Sequence, residues 1–340
     1  MTGAIVLAAY EPSPELLVRQ LRSIRAQTVE DWVCVIAVDG GDDAVRRALA
    51  EAVGDDSRFH VVSDGRRLGF YLNFERGLAA VAPEAEWVAL SDQDDYWYPQ
   101  KLETLLPHLA EVALVSGQAR LVRYPEDQEI GVTGRLDLDA RLTMLVNQYT
   151  GSLCVFRAEL LSIALPFPRL SSRTVAHDHW LAMVAFAHGG ARVVDDLVQD
   201  YVQHDANVFG DPSALRAGPL RTLRRAFTNV VAFSRKYEGS ASPRAMARML
   251  FWVYVGWRQL MAETLVARCG QDSGADGGVV RALAETFGRR RRLSDTRRLL
   301  RTARRVEAVP RAFGIAYIAS WIAGAAVSGR LLEPTPPKLS

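Results

Sequence analysis

The chain is poor in the features that mark secreted, membrane-spanning and nucleic-acid-binding proteins. Its three cysteines, Cys34, Cys154 and Cys269, lack the spacing of metal ligands, and the first two lie in apolar runs, which favours a reducing cytoplasm. The 340 residues carry a formal net charge of only +2, so no global field attracts nucleic acid. The start has no basic residues, and its apolar run from Ala4 to Ala9 is too short for a signal peptide. We interpret this run as a first strand.

The first 118 residues alternate strand-like apolar runs with amphipathic, helix-like segments. The predicted strands are AIVLAA (4–9), WVCVIAV (32–38), FHVVS (59–63), WVALS (87–91) and VALVSG (112–117). The predicted helices cover residues 14–26, 43–53, 70–81 and 99–109, and Ser13 followed by Pro14 suits the start of the first. This alternation predicts an α/β fold with a mainly parallel sheet, whose ligands gather at the carboxyl ends of the strands.

Polar residues follow four of the predicted strands. Tyr10 and Glu11 follow the first strand, Asp39 and Gly40 the second, residues 63–65 the third, and the segment 92–95 the fourth. Asp and Gly also form ordinary turns, so one such strand end indicates little, but four together indicate a shared crevice. The fourth carries three carboxylates in four positions, which repel one another and cost free energy when desolvated. A divalent cation is the first candidate for the counter-charge.

The chain changes character after Gly210. Long helix-forming stretches follow, and we predict a boundary near residues 211–218 between a domain of residues 1–210 and an α-helical, Arg-rich region of residues 211–340. Between Arg289 and Arg305 there are nine arginines and one acidic residue, with apolar residues interleaved at helical spacing. This pattern predicts contact with an anionic membrane surface, or else a solvated or packed helix face.

The longest uncharged stretch runs from Ala312 to Ser328. Its length is near the lower limit for a membrane span, but it is rich in Ala, Gly and Ser, so spanning is not favoured.

Seven segments in the first 210 residues resemble, in order, the inverting family 2 nucleotide-sugar glycosyltransferases of GT-A fold, and particularly their rhamnosyltransferase-like branch. They are AAYEP, QLRSIRAQT, VDGGDD, LGFYLNFERGL, ALSDQDDYWYPQKL, HDHWL and YVQHDANVFG. A single Asp-x-Asp match is weak evidence, whereas seven segments in order are specific. The resemblance implies a GT-A fold, a Rossmann-like sheet with flanking helices, and does not extend to the C-terminal region.

The resemblance also implies a cation site of Mn²⁺ or Mg²⁺. Asp92 and Asp94 are similar to the family's Asp-x-Asp pair, and His204 resembles a returning histidine that completes the coordination sphere. Hard carboxylate oxygens with open positions for phosphate suit such an ion. Asp95 is interpreted as a ligand, as a residue that orients a metal-bound water, or as a partner of a sugar hydroxyl.

The implied nucleotide-sugar site lies at the same strand ends. Asp39 is similar to the carboxylate that accepts hydrogen bonds from the donor's pyrimidine, although the family's double Asp is Val38-Asp39 here and its Ser is Gly41. Arg66 and Arg67 are candidates to contact phosphate, with a solvated turn as the alternative. Asn73 is either a donor-binding residue or a structural cap. The full set is Tyr10, Glu11, Asp39, Arg66, Arg67, Asn73, Asp92 and Gln93.

Asp178 in AHDHWL occupies the position of the family's catalytic base, with His177 in place of the more common Glu. An inverting transfer needs a base opposite the leaving group, within reach of the acceptor hydroxyl. The alternatives are a helix cap by Asp178 and a second metal site made by His177 and His179. The additional candidates are Gly151, with Tyr149 and Ser152, for the acceptor pocket, and Trp180 and Trp97 for stacking on sugar rings or for the core.

The resemblance implies a metal-dependent inverting glycosyltransferase that moves a sugar to a hydroxyl of a cell-envelope or lipid-linked glycan. The predicted donor is dTDP-rhamnose, and the first alternative is a UDP-hexose such as UDP-galactose or UDP-glucose. A non-catalytic sugar-nucleotide-binding scaffold and a metal-dependent hydrolase are alternatives from other classes. The expected location is cytoplasmic and peripheral on the inner face of the cell membrane, with no nucleic-acid partner.

Overall fold

The computed structural model describes residues 2–169, 176–204, 219–269 and 274–325, and divides the chain into two compact units. The first consists of Met1–Leu138, Gln148–Phe167 and Ala176–Gly210, and the second of Asp139–Asn147, Pro168–Val175 and Asp211–Ser340. The predicted boundary at residues 211–218 and the end of the YVQHDANVFG segment lie outside the described residues. That residues 139–147 join the second unit was not predicted from the sequence.

A nine-stranded mixed sheet forms the centre of the first unit. The strand order is β3-β2-β1-β4-β8-β6-β9-β5, with β7 paired to β6. The strands are β1 (Gly3–Ala9), β2 (Trp32–Val38), β3 (Phe59–Val62), β4 (Trp87–Ser91), β5 (Tyr96–Trp97), β6 (Leu114–Arg123), β7 (Gln128–Val132), β8 (Cys154–Arg157) and β9 (Ala191–Gln203).

The first four strands are parallel, and β1, β2 and β4 are almost entirely buried. β1 pairs with β2 from Gly3 opposite Trp32 to Ala9 opposite Val38, and it pairs with β4 on its other side. Strands covered on both faces need continuous apolar runs, which explains why they were recognised from the sequence. Gly3 is required at the start of β1, because a Cβ there would lie 1.9 Å from the Trp87 indole.

The second half of the sheet departs from the predicted parallel arrangement. β8 is antiparallel to both β4 and β6, β9 is parallel to β6, and the short β5 is antiparallel to β9. The α/β class with flanking helices is therefore confirmed, with a sheet that is parallel only in its first half and between β6 and β9.

The helices of the first unit cover the sheet. Pro14 stands at the first position of the first helix, where its fixed φ favours a helix start. The predicted helix over 99–109 is divided, because Pro107 lacks the N–H needed for an α-helical hydrogen bond, and a 3₁₀ turn covers Leu106–Ala110. The α-helices are α1 (Pro14–Arg25), α2 (Asp43–Val53), α3 (Phe70–Ala79), α4 (Lys101–Leu105), α6 (Leu161–Ala164) and α7 (His177–Ala187), with α5 in the second unit.

The second unit is helical, as predicted for the C-terminal region. Its helices are α5 (Ala140–Leu145), α8 (Pro219–Glu238), α9 (Pro243–Phe251), α10 (Trp257–Cys269), α11 (Gly277–Phe287), α12 (Leu293–Arg305) and α13 (Arg311–Ala325). Asp139 and Asp276 cap α5 and α11 through side-chain hydrogen bonds to backbone N–H groups. Within the described ranges, no helix combines the length and the apolar character that crossing a membrane would require.

Candidate active site

The carboxylate cluster follows β4 and meets the end of β9. His204 Nε2 lies 2.8 Å from Asp94 Oδ2. This meeting depends on β5, which begins directly after the cluster and pairs antiparallel with β9, Tyr96 opposite Asp200. The pairing brings the segment before β5 beside the segment that ends β9, so two residues that the sequence linked only by resemblance are in contact.

Burial and mutual repulsion dominate the electrostatics of the cluster. Burial, followed by the charges of Asp94 and Asp178, raises the pKa of Asp92 to about 7. Asp95 is 1% exposed, and burial, with the charges of Asp94 and Asp92, raises its pKa well above the usual range. A cation would favour the ionised form of all three carboxylates.

Asp178 lies in the first turn of α7 and faces the same site, since its charge contributes to the raised pKa of Asp92. Its Oδ2 accepts a hydrogen bond from the Gly151 backbone N–H at 3.2 Å, and its Oδ1 accepts one from the His179 N–H at 2.7 Å. These two donors fix the orientation of the carboxylate. Asp178 is the second residue of α7, and the preceding helix-capping position is Ala176.

His177 is a buried aromatic neighbour of Asp178. Its ring stacks on Phe74 with centroids 3.9 Å apart, and burial lowers its pKa, so the imidazole is neutral. Neither ring nitrogen has a hydrogen-bond partner in the part of the chain that the structure describes. A Cβ at Gly151 would lie 2.6 Å from His177 Nε2, so glycine is needed there for close approach of the ring.

The ends of β1 and β4 are joined by a side-chain amide. The Tyr10 backbone N–H donates to Gln93 Oε1 at 2.7 Å, and Gln93 Nε2 donates to the Tyr10 carbonyl at 3.1 Å. Glu11 follows with φ of 39°, a left-handed conformation that is costly for a residue other than glycine. Gln93 thus fixes the first strand end against the carboxylate segment.

Asp39 and Asn73 are tied into the domain by backbone hydrogen bonds. Asp39, 5% exposed, accepts hydrogen bonds from the Leu68 and Gly69 N–H groups, the second at 3.0 Å. Asn73, 2% exposed, donates to the Ala37 carbonyl at 2.7 Å. Asn73 therefore ties α3 to β2, and it does not cap the helix, whose N-terminal capping position is Gly69. Asp39 holds the turn that carries the two predicted phosphate-binding arginines.

The two arginines of that turn differ in their partners. Arg66 forms an ion pair with Asp64 at 2.7 Å, and Asp64 also pairs with Arg76. The guanidinium of Arg67 lies 4.3 Å from the centroid of the Tyr10 ring. Arg67 therefore carries its charge to the end of β1, whereas Arg66 has a carboxylate partner already.

Both tryptophans singled out from the sequence belong to the core. Trp180 is fully buried, and its indole N–H donates to the Ala164 carbonyl at 2.9 Å. Trp97 is also fully buried and packs against the Lys101 ammonium. The expectation that they stack on a sugar ring is therefore corrected, because a fully buried indole offers no face to a ligand.

Four residues near the carboxylates were not assigned to the cation and donor site from the sequence. Lys101, Ser152, Gln199 and Tyr201 surround Asp92 and Asp95, and burial raises the pKa of the Tyr201 phenol, with the three carboxylates adding to the effect. Lys101 opens the short helix KLETL beside the polar Gln100, so its sequence context gave no signal that it is buried. Gln199 and Tyr201 alternate along β9, where strand geometry alone sets which face they occupy.

The donor set suits a hard divalent cation. Two carboxylates and an imidazole nitrogen are acceptable ligands for Mn²⁺ or Mg²⁺, and an ion that binds a diphosphate takes several ligands from phosphate and water. Across residues 2–169, 176–204, 219–269 and 274–325, no three His, Cys, Asp or Glu side chains are grouped as a ready-made metal cage. The paired Asp94 and His204, beside the mutually repelling Asp92, fit an open site.

A family model described as Glycosyl transferase family 2 matches residues 4–161, which contain β1 to β8 and the carboxylate cluster. Residues 4–161 are therefore similar to glycosyl transferase family 2 domains. This match agrees with the family and with the glycosyltransferase class predicted from the seven segments. The rhamnosyltransferase-like branch stays a prediction.

The chain has relatives of low identity. The uncharacterized protein y4gI of Sinorhizobium fredii is 27% identical over 135 residues, which cover 39% of this chain and 14% of that protein. A crystal structure of S. aureus TarS residues 1–349 with UDP-GlcNAc has a TM-score of 0.50 and 14% identity, covering 96% of this chain and 90% of that one. This likeness shows a shared fold.

A further solved structure is the mannosyltransferase PcManGT of Pyrobaculum calidifontis, in complex with GDP-Man and Mn²⁺. It has a TM-score of 0.45 and 17% identity, covering 95% of this chain and 86% of that one.

Proposed function

We propose that the protein is a metal-dependent inverting glycosyltransferase that moves one sugar from a nucleotide donor to a hydroxyl of a cell-envelope or lipid-linked glycan. The observation that carries the proposal is the contact of His204 with Asp94 beside Asp92, which the charges of Asp94 and Asp178 both reach. Asp92 and Asp94 lie within the residues that match the family 2 model. Such a transfer needs a site for the cation and, held separately, a carboxylate that can act as the base. The pair Asp94–His204 would supply the first and Asp178 the second.

The donor diphosphate would bind at the carboxyl ends of β1 and β4. Asp92, Asp94 and His204 would hold Mn²⁺ or Mg²⁺, which when bound stabilises the negative charge of the departing diphosphate. Arg67, whose guanidinium lies over the Tyr10 ring, would donate bidentate hydrogen bonds to two oxygens of a phosphate group. Asp39 supports the base-binding turn through Leu68 and Gly69, and its remaining lone pairs are available to a pyrimidine.

Asp178 would act as the general base. It takes the proton from the acceptor hydroxyl while that oxygen forms a bond to the anomeric carbon of the sugar. The bond between this carbon and the phosphate oxygen breaks, and its electron pair leaves with the nucleoside diphosphate. The hydrogen bonds from the Gly151 and His179 N–H groups hold the carboxylate for this role and leave it further lone pairs for the proton.

The proposed donor is dTDP-rhamnose, in keeping with the branch that the sequence resembles, and a UDP-hexose is the alternative within the same fold. TarS was solved with UDP-GlcNAc, so this donor also belongs in a binding screen. A non-catalytic scaffold would bind donor without turnover, and a hydrolase would release free sugar without an acceptor.

We also propose a cytoplasmic location with contact to the inner face of the cell membrane. In the second unit, α12 exposes Arg297, Arg298 and Arg301, and Leu293 at its start is also exposed. On α13, Ile315 is 71% exposed and Ile322, two turns later, is 66% exposed. Basic and apolar exposed side chains together are typical of helices that lie at an anionic headgroup boundary.

The deciding experiment screens dTDP-rhamnose, UDP-hexoses, UDP-GlcNAc and GDP-mannose by calorimetry with Mn²⁺, Mg²⁺ or chelator. Products are then analysed with and without a lipid-linked glycan acceptor. We expect cation-dependent binding of one donor, acceptor-dependent transfer, and loss of both in Asp94→Asn, with Asp55→Asn as an exposed control. Donor binding at full strength in chelator would reject the metal dependence, and binding without turnover would favour the scaffold.

A further inference from the structure

A second set of polar side chains, not used by the proposed chemistry, lies against the carboxylate cluster. Lys101 is 1% exposed, and Ser152 and Gln199 are fully buried. They come from α4, the 3₁₀ turn Gly151–Leu153 and β9. Burying three polar groups costs free energy unless each is hydrogen bonded, so their mutual contacts decide what they do.

The contact with Lys101 orients the side-chain amide of Gln199. Lys101 Nζ donates to Gln199 Oε1 at 2.6 Å and to the Ser152 carbonyl, and the Trp97 ring lies 3.6 Å from it. The amide oxygen accepts from this donor, so the NH₂ group of Gln199 lies on the opposite side of the amide, toward an acceptor.

The NH₂ group of Gln199 points to the cluster. Gln199 Nε2 donates to Asp95 Oδ2 at 2.8 Å and to Ser152 Oγ at 3.0 Å. Because Ser152 Oγ accepts from Gln199, its own hydrogen remains for the neighbouring carboxylates of Asp92 and Asp95, with which the Ser152 side chain is hydrogen bonded. Each group in this series thus donates a hydrogen bond to the next: Lys101 to Gln199, Gln199 to Ser152, and Ser152 to Asp92.

We propose that Gln199 is a positioning residue, which, oriented by Lys101, holds Asp95 directly and Asp92 through Ser152 in the arrangement that receives the cation. The inference rests on the proposed cation site and assigns a role to residues outside the Asp-x-Asp motif. Partners that hydrogen-bond to ligating carboxylates set their orientation, and removing one typically weakens metal affinity.

The test uses neutral substitutions, so that no change in net charge alters the attraction for the ion. Gln199→Met and Ser152→Ala should each weaken Mn²⁺ binding, measured by calorimetry on the full chain, by about 10-fold to 100-fold. The double variant should bind only slightly more weakly than either single variant, because both substitutions interrupt the same series of hydrogen bonds.

Gln27→Met is the matched control. Gln27 is also a buried glutamine, it donates to the Tyr98 carbonyl at 2.8 Å, and it accepts from the Leu102 N–H beside Lys101. This variant should lose melting temperature to an extent comparable with Gln199→Met while retaining Mn²⁺ affinity within about twofold of the wild type, since a change of that size is near the thermal energy. A purely structural role for Gln199 predicts the same result for both variants.

Three outcomes would overturn the inference. Gln199→Met could bind Mn²⁺ as tightly as Gln27→Met, or the two losses could multiply in the double variant. If Gln199→Met does not fold, Ser152→Ala decides, and wild-type affinity in that folded variant rejects the role. Absence of Mn²⁺ binding by the wild type is a different result, which would reject the proposed cation site and this inference with it.

Discussion

His204 Nε2 and Asp94 Oδ2 lie 2.8 Å apart, although the two residues are 110 positions apart in the chain. The two-residue β5 makes this contact by pairing with β9 immediately beside it. The pair is the structural basis of the proposed cation site, and the first prediction concerns it.

His204→Ala should weaken Mn²⁺ binding without unfolding the domain, because it removes one neutral ligand from a site that keeps its carboxylates. Asp94→Ala should reduce donor binding more severely, since it leaves the phosphate charge uncompensated. Calorimetry with Mn²⁺ and donor measures both, and melting curves in chelator report folding. A collapse of the melting temperature of His204→Ala in chelator would show instead that this histidine is structural.

Asp178→Asn should lower the rate of sugar transfer by about 10²-fold to 10⁴-fold, because the amide keeps the shape of the carboxylate but cannot accept the proton. Donor affinity and cation requirement should change little, since the cation is bound by other residues. Transfer rate, donor affinity and melting temperature are measured on this one variant. Near-normal transfer would remove Asp178 as the base, and rescue by excess Mn²⁺ would indicate a metal ligand.

Gly151→Ala should destabilise the protein by about 1–3 kcal/mol, because the new Cβ would lie 2.6 Å from His177 Nε2 in a closely packed site. Urea denaturation measures the free energy of unfolding. Gly134→Ala is the control, since nothing lies within 4 Å of a Cβ there. If the clash is the cause, Gly151→Ala should lower the free energy of unfolding less in a His177→Ala background than in the wild type. An equal loss in both backgrounds would point to a different cause.

His177 should contribute less to the stability of the folded protein as the pH falls through the range that protonates histidine, whereas Asp92 and Asp95, whose pKa values are raised, act in the opposite direction. Burial lowers the pKa of His177 below its usual 6.5, against the smaller opposing effect of Asp178, so the unfolded chain binds this proton more readily than the folded one. The contribution of neutral His177 to the free energy of unfolding is present above pH 6.5 and is lost as the pH falls toward the pKa of His177 in the folded state.

His177→Leu should remove the His177 contribution and so raise the stability at the lower pH, relative to that at the higher pH, above the wild-type difference, whereas His60→Leu, which replaces an exposed histidine, should leave this difference unchanged. Urea denaturation at about pH 7.5 and about pH 5.5 provides the comparison. Equal slopes in the wild type and His177→Leu would assign the effect to other groups.

Replacing Arg297, Arg298 and Arg301 by Gln should reduce binding to anionic vesicles by on the order of 10²-fold, from about 1 kcal/mol per arginine. Flotation at low salt, with neutral vesicles for comparison, measures binding. The charge-matched control replaces Arg22, Arg46 and Arg47, which are exposed in the first unit. No binding by the wild type, or equal losses in the two triple variants, would reject α12 as the contact surface.

The sequence by itself determined the first half of the sheet and its helices. β2, β4 and α2 have the predicted bounds, because strands buried on both faces need unbroken apolar runs and an amphipathic surface helix keeps its period. The same local signals located the polar strand ends that carry Asp39 and the segment 92–95. A family resemblance supplied His204 and Asp178, which periodicity could not.

Tertiary structure decided which of these residues meet and which serve the core. The two-residue β5 is too short to leave a periodic signal, yet its pairing with β9 brings Asp94 to His204. The fold also placed Trp180 in the core and Gln199 beside Asp95. Local sequence patterns record propensity and burial along one segment, whereas a contact between segments about a hundred residues apart depends on strand pairing and side-chain packing that form only in the folded chain.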